Sequence, residues 1–440
     1  MVLRLLKADF CARAGLGLAV LGTALCLPAA CFGMDGLFSP KHHKNSDQTA
    51  SQNKPNVQSS QPPAFSIPVD PLGFYAPSAF YLGQRETLLS LDFLDEDHLL
   101  FTFRTPGLIR RTNPNVDDER EIRALVLRLP QGTVEAEALW TLHGQARYIW
   151  VLHNGHFLLR DQNNLKEGDA SLEIKPLLRF PGPLLWLGMD PHQQYLVTDS
   201  YEPEATPTRS GDVTSPATAS ADASVDGEDA AEKPDIVIRI LRRAAGQVML
   251  VSHVRMTTHL AINSDGYLEA LRSTGRNWML DLNYFKGGSD IVGRVDSACL
   301  PPMEFSSHTE VVANTCLPEG GRELVAFSTD GHHLWRLADG PTQVWPLLIM
   351  APNGSRIALE TLTVSHPVAP FSPLSTDDIK GQQVEVVDAA NGKEALRASA
   401  SPVLDGGGNV AISPSGLRVA VLDAGAIQVY ELGAPSAQVH

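Results

Sequence analysis

Cysteine is scarce in this chain: five in 440 residues, with Cys11, Cys26 and Cys31 all near the N-terminus. Only Cys299 and Cys316 remain as a pair in the body of the sequence. Positive charge is short as well. Lys and Arg number 35 against 50 Asp and Glu, a formal charge of −15. That balance lacks the basic footprint of a nucleic-acid binder and suits a protein kept dispersed by self-repulsion. Beyond the N-terminus no sustained helical period occurs, which argues against helical architectures. Enzyme signatures are missing too. There is no Gly-x-Ser-x-Gly elbow and no His-Glu-x-x-His helix. Gly392-Lys393 lacks the upstream glycine and following Ser/Thr of a phosphate-binding loop.

What is present at the N-terminus is a leader. Arg4, Lys7 and Arg13 precede an uncharged run from Ala14 to Met34, with small residues at Pro28-Ala29-Ala30 and Cys31-Phe32-Gly33. This is the pattern of a secretory signal peptide over residues 1–33, with a retained membrane anchor as the alternative. Leu27-Pro28-Ala29-Ala30-Cys31 approaches a lipid-attachment motif, but its Leu stands one position too far from Cys31. Removing the leader takes away three cations and one anion, which moves the charge to −17. An exported chain reaches a compartment where Cys299 and Cys316 form one disulfide. The alternative is a pair of small buried thiols in neighbouring strands. Residues 34–72 are rich in Ser, Gln, Asn, Pro and Lys and read as a disordered linker; His42-His43 within it is a solvated pair.

From there on, one unit recurs: an apolar strand, a tight polar turn, a second apolar strand. Its clearest copy is Val410-Ala411-Ile412-Ser413-Pro414-Ser415-Gly416-Leu417-Arg418-Val419-Ala420-Val421. The turns begin at Leu94, Leu152, Asp190, Asn263, Ser306, Ala351 and Ser413. Seven copies of a strand-turn-strand unit, several at the spacing of a four-stranded blade, imply an all-β, seven-bladed β-propeller over residues 73–436. Irregular spacings trace to insertions. Residues 201–234 hold eight acids against Arg209 and Lys233 and read as a disordered acidic loop; Arg111–Glu121 and His366–Asp378 are the others. Insertions in connections leave strand pairing intact. After Leu432 too little chain remains for a fourth strand, so an N-terminal strand, expected at Ser78–Leu82, completes the last blade and closes the ring.

The copies at Ile349–Ala358 and Ile412–Ala420 resemble the WD-repeat-like blades of bacterial secreted propellers, whose turn reads Ser-Pro-Asp-Gly. The resemblance covers residues 78–435 and implies an exported, secreted or periplasmic propeller of an uncharacterised family. The Gly-His and Trp-Asp dipeptides of eukaryotic WD repeats are absent from every copy.

Nine or ten residues beyond each turn start, the copies diverge. Arg104, Asp161, Asp199, Arg272, Glu360 and Asp423 stand there. Second-strand ends that meet on one rim of a central channel would make these six a mixed-charge ligand-binding ring. The simpler account is that strand ends are polar because they reach water. The six tryptophans are spread along the blades, as inter-blade packing requires. His332-His333 at a turn needs no metal, and no metal or cofactor is expected. The expected function is a non-catalytic extracytoplasmic scaffold for a protein or cell-envelope partner, with membrane contact only through an uncleaved leader. A propeller enzyme of the lactonase or quinone-dependent dehydrogenase type is the alternative; its metal or cofactor would sit in the channel.

Overall fold

A computed structural model describes residues 59–76, 88–107, 119–144, 147–202, 235–254, 258–369, 372 and 374–435. Among them the chain forms seven antiparallel sheets of four strands each. The first strands of successive blades contact one another around a central channel. They are Ser90–Phe93, Ile149–Val151, Leu184–Met189, Ala261–Ile262, Met303–Phe305, Gln343–Met350 and Val410–Ile412. The second strands lie one step further out: His98–Arg104, Phe157–Asp161, Tyr195–Tyr201, Gly266–Thr274, Glu310–Cys316, Arg356–Val364 and Arg418–Asp423. The protein is a seven-bladed β-propeller.

Burial explains why the repeat is legible. A second strand is covered by neighbouring blades on both faces, so Leu99 to Phe103 are buried without a break. An outermost strand such as Thr133–His143 faces water over most of its length and carries polar residues. Seven hydrophobic clusters result, one in each gap between blades. Trp140, Trp150, Trp335 and Trp345 are buried within them. Each of the seven turns joins a first strand to a second. Their polar side chains bond the turn backbone: Asp95 Oδ1 accepts from the amides of Asp97 and His98, both at 2.8 Å, and Asn263 Oδ1 from those of Asp265 and Gly266. Side chains that imitate a backbone turn are why Asp, Asn and Ser recur at these positions.

The ring closes through an N-terminal strand, but not the expected one. Ser78–Leu82 lies outside the described residues. The strand that pairs with Ala426–Glu431, as the outermost of the last blade, is Phe65–Pro68. It belongs to the stretch expected to be linker, whose polar composition masked the alternation of Phe65 and Ile67. Ile67 is buried in the cluster between the last and first blades. A Cβ on Gly132, whose φ is +70°, would meet Ile67 Cγ2 at 2.5 Å, so the first blade's outer turn needs glycine to approach this strand. The leader, residues 1–33, and the body of the acidic insertion, 203–234, also lie outside the described residues. All three insertions join a second strand to a third, in blades 1, 3 and 6.

Cys299 and Cys316 are bonded, with the Sγ atoms 2.01 Å apart. The bridge ties the segment entering blade 5 to the end of that blade's second strand. Arg322 Nη1 lies 2.8 Å from Cys316 Sγ. Closing a 17-residue separation should contribute about 3 kcal/mol. Replacing both cysteines by alanine should lower unfolding stability in urea by about that amount; an unchanged midpoint would contradict a structural bridge.

Candidate functional site in the central channel

The six residues singled out by counting forward from the turns lie on second strands, one strand further out than the first strands. All but Asp199 have a well-formed local partner. Asp161 accepts from the His143 amide at 3.1 Å, His143 Nδ1 at 3.0 Å and Lys166 Nζ at 3.1 Å. His143 ends the outermost strand of blade 1, so Asp161 ties that exit to blade 2. Asp423 does the same for blade 6, accepting from Ser399 Oγ and Ser401 Oγ, both at 2.7 Å. Glu360 holds the segment entering blade 7 through the amides of Gly408 at 2.9 Å and Asn409 at 2.8 Å, with Gln382 Nε2 at 2.9 Å. Arg272 donates to the Gly275 carbonyl and lies over Trp278, and Arg104 donates to the Gly107 carbonyl. In the run Gly406-Gly407-Gly408, the last two glycines sit at close approaches. A Cβ on Gly407 would strike Glu360 and Leu347, and one on Gly408 would strike the Leu89 carbonyl.

Asp199 is the most strained of the set. It is fully buried, its nearest donor is the Thr258 amide, and neither carboxylate oxygen completes a hydrogen bond among the described residues. Burial raises its pKa from 3.8 to about 6, and the Thr258 amide opposes that rise. Burial likewise pushes Glu360 up to about 7 against the amides of Gly408, Asn409 and Val410 and the Gln382 side chain.

The channel itself contains two cavities, of about 500 Å³ and 280 Å³. None of the six residues lines either. The larger is walled by Tyr148, Arg322, Gln343, Leu347 and the Asp405–Gly408 loop, among others. Asp92, Arg147 and Ile349 line both cavities and so mark a waist between them. Alternation along the first strands places the charges there. In Ser90–Phe93, Leu91 and Phe93 are buried in the blade, while Ser90 and Asp92 turn to the channel. In Met303–Phe305, Glu304 turns to the channel between two buried neighbours.

A single sequence offset, missed above, identifies this ring. Two residues before each turn start stand Asp92, Trp150, Gly188, Ala261, Glu304, Ile349 and Ala411. All seven line the smaller cavity. Five are apolar or small, and the two carboxylates come from blades 1 and 5, as far apart as a ring of seven allows.

Arg147, just ahead of blade 2, supplies the counter-charge. Its Nε donates to the Ile149 carbonyl at 3.0 Å, and its guanidinium carbon lies 5.3 Å from the Trp150 ring centre. Asp92 accepts from Ser90 Oγ at 2.6 Å. Burial raises the Asp92 pKa, with the Ser90 hydrogen bond and Arg147 opposing it; burial raises Glu304 too, with Arg147 opposing. The Glu304 side chain is exposed to channel space, and the blades packed around it raise its pKa without closing it off from solvent. Arg147 forms an ion pair with neither carboxylate. Among the described residues no three His, Cys, Asp or Glu side chains are grouped to hold a metal ion.

No family model and no curated protein matches the chain. Solved structures with a similar fold include TolB from Acinetobacter baumannii, 12% identical, with 75% of this chain and 79% of that one covered at a TM-score of 0.38. The outer coat vertex of COPII on membranes is 11% identical over 80% of this chain and 86% of that one, at a TM-score of 0.41. Uncomplexed Pyrococcus horikoshii acylaminoacyl peptidase is 8% identical over 80% and 52%, at 0.45. Likenesses of this degree carry no functional argument, and the fold rests on the strand pairing itself.

The buried Asp199 gives a signed pH effect. Its folded pKa lies above its unfolded one, so the folded state holds the proton more tightly and stability falls as pH rises from about 4 to about 6. Asp199→Asn should remove its share of that fall and leave the part due to Glu360, which extends to about 7. Relative to the native chain it should gain, across that window, at most about 3 kcal/mol in denaturant melts. A difference independent of pH would show that Asp199 is not the titrating group.

Proposed function

We propose that the protein is an exported, non-catalytic binding propeller, and that the channel waist is where it holds a small ligand or a segment of a protein partner. One observation carries this reading. Asp92 and Glu304, on first strands whose remaining ring positions are apolar or small, line the smaller cavity together with Arg147 just ahead of blade 2. Charges with no structural duty in a poorly solvated site cost stability, so their presence calls for an occupant. Asp161, Asp190, Glu360 and Asp423 have such duties, each holding a turn or a passing segment; Asp92 and Glu304 hold neither. The shape suits the role, because ligand sites are concave, largely apolar and carry a few converging polar groups.

The Cys299–Cys316 bridge supports export, since such bonds persist in oxidising compartments. The leader at 1–33 supports it independently, with cleavage or retention as an anchor both compatible. No helix among the described residues is long and apolar enough to cross a membrane. The partner is a protein or a cell-envelope component rather than a nucleic acid, given the charge of −15. The WD-repeat-like ancestry read from the Ser-Pro turns belongs to the same proposal.

Two measurements test it. A screen of amino acids, peptides, sugars and headgroups by thermal shift should give hits that Asp92→Asn with Glu304→Gln abolishes and Glu360→Gln leaves intact. Hits indifferent to the channel pair would move the site elsewhere. Elemental analysis with native mass spectrometry should find no stoichiometric metal or organic cofactor. Finding one would favour the lactonase or quinone-dependent dehydrogenase alternative in the same channel.

A further inference from the structure

We propose that the waist of the channel binds an organic cation, a primary ammonium or guanidinium on an apolar stem, held between Asp92 and Glu304. This deepens the channel reading above and rests on it.

The charge count at the waist is the first argument. The smaller cavity is lined by Asp92, Asp190, Glu304 and Arg147. Asp190 is spent on its own turn, accepting from the Tyr195 amide at 2.6 Å and the His192 amide at 3.1 Å. Asp190 keeps its charge but has its oxygens met, whereas Asp92 and Glu304 share one guanidinium, so negative charge is in excess here. Away from bulk water such an excess is costly. A cation reduces it; an anion or a neutral sugar does not.

The geometry of Arg147 is the second. Its Nε is committed to the Ile149 carbonyl and its guanidinium rests over Trp150. It lowers the cost of both carboxylates through space while pairing with neither. The carboxylate oxygens facing the channel are therefore open to an N–H donor brought by a ligand.

The walls are the third. Trp150, Trp186, Ile349 and Ala411 line the same cavity. Trp186 is fixed by stacking on His259, with ring centres 4.8 Å apart. Aromatic faces attract cations, and apolar walls take up an alkyl stem. A lysine- or arginine-like chain meets both requirements, with its charge at the carboxylates and its methylenes against the apolar positions of the ring. The excess of anions over the whole protein raises the local concentration of such ligands.

Isothermal titration of the purified protein decides the matter with six probes: N-acetyl-lysine amide, N-acetyl-arginine amide, cadaverine, spermidine, calcium and hexanoate. The organic cations should bind and hexanoate should not. Glu304→Gln and Asp92→Asn should each weaken cation binding by at least about tenfold, since each removes one partner of a buried charge contact. Arg147→Met should strengthen it by about threefold or more, because it removes a nearby like charge. That gain also guards against misfolding as an explanation, since a damaged fold would not bind better. Tighter binding of the amino-acid amides would point to a side chain of a protein partner; tighter binding of cadaverine or spermidine would point to a free polyamine. The assignment is overturned if Glu304→Gln leaves cation affinity unchanged, if calcium displaces the amines, or if no cation binds. Binding of hexanoate that Arg147→Met abolishes would overturn the cation yet leave the channel as the site.

Discussion

Four backbone pairings, from Phe65 opposite Val429 to Pro68 opposite Ala426, join the first described strand to the last and close seven blades into a ring. The rest of the molecule depends on them. Without the closure, the last blade would expose the edge of Ala426–Glu431, and the apolar cluster between blades 7 and 1 would lose Ile67 and Val69. Open sheet edges invite pairing with other chains, and closure removes one. The ends of the chain reinforce it: the Ala64 amide bonds the Val429 carbonyl, and Ser60 bonds Arg397 in blade 6 through both its amide and its hydroxyl. A channel of fixed width follows from that closure, and with it the possibility of a built site on the axis.

Polar residues in this fold divide by radius. On second strands, Asp161, Glu360 and Asp423 fasten one blade to the next by catching the chain as it passes between them. Their charge is satisfied by amides, hydroxyls or a lysine. On the first strands, Asp92 and Glu304 catch nothing across blades and face space. The same residue types thus serve assembly at one radius and, under the function proposed above, recognition at another.

How much of this could be read beforehand follows from the physics of each element. Turns were legible because Asp, Asn, Ser, Pro and Gly have local conformational reasons to be there, independent of what the blades pack against. The blade count followed from the turns. The disulfide followed from compartment and pairing arithmetic. The closing strand was misplaced because Phe65–Pro68 is short and half exposed, with only Phe65 and Ile67 to mark it inside a polar stretch. The carboxylates that line the cavity were passed over for a different reason. Counting forward from a turn follows the second strand to its end, whereas the axis is reached by counting back along the first. Strand alternation tells which residues share a face, but not which of two strands is nearer the axis. The signal was present in Leu91-Asp92-Phe93 and Met303-Glu304-Phe305, each a lone carboxylate between residues that bury.

Hydrogen–deuterium exchange over the closing strand tests the central claim most directly. Closure by Phe65–Pro68 predicts that peptides covering Ala64–Ile67 exchange slowly and open together with Ala426–Glu431, as parts of one cooperative unit. Exchange of Ala64–Ile67 at the rate of an unfolded chain, while Ala426–Glu431 stays protected, would contradict it.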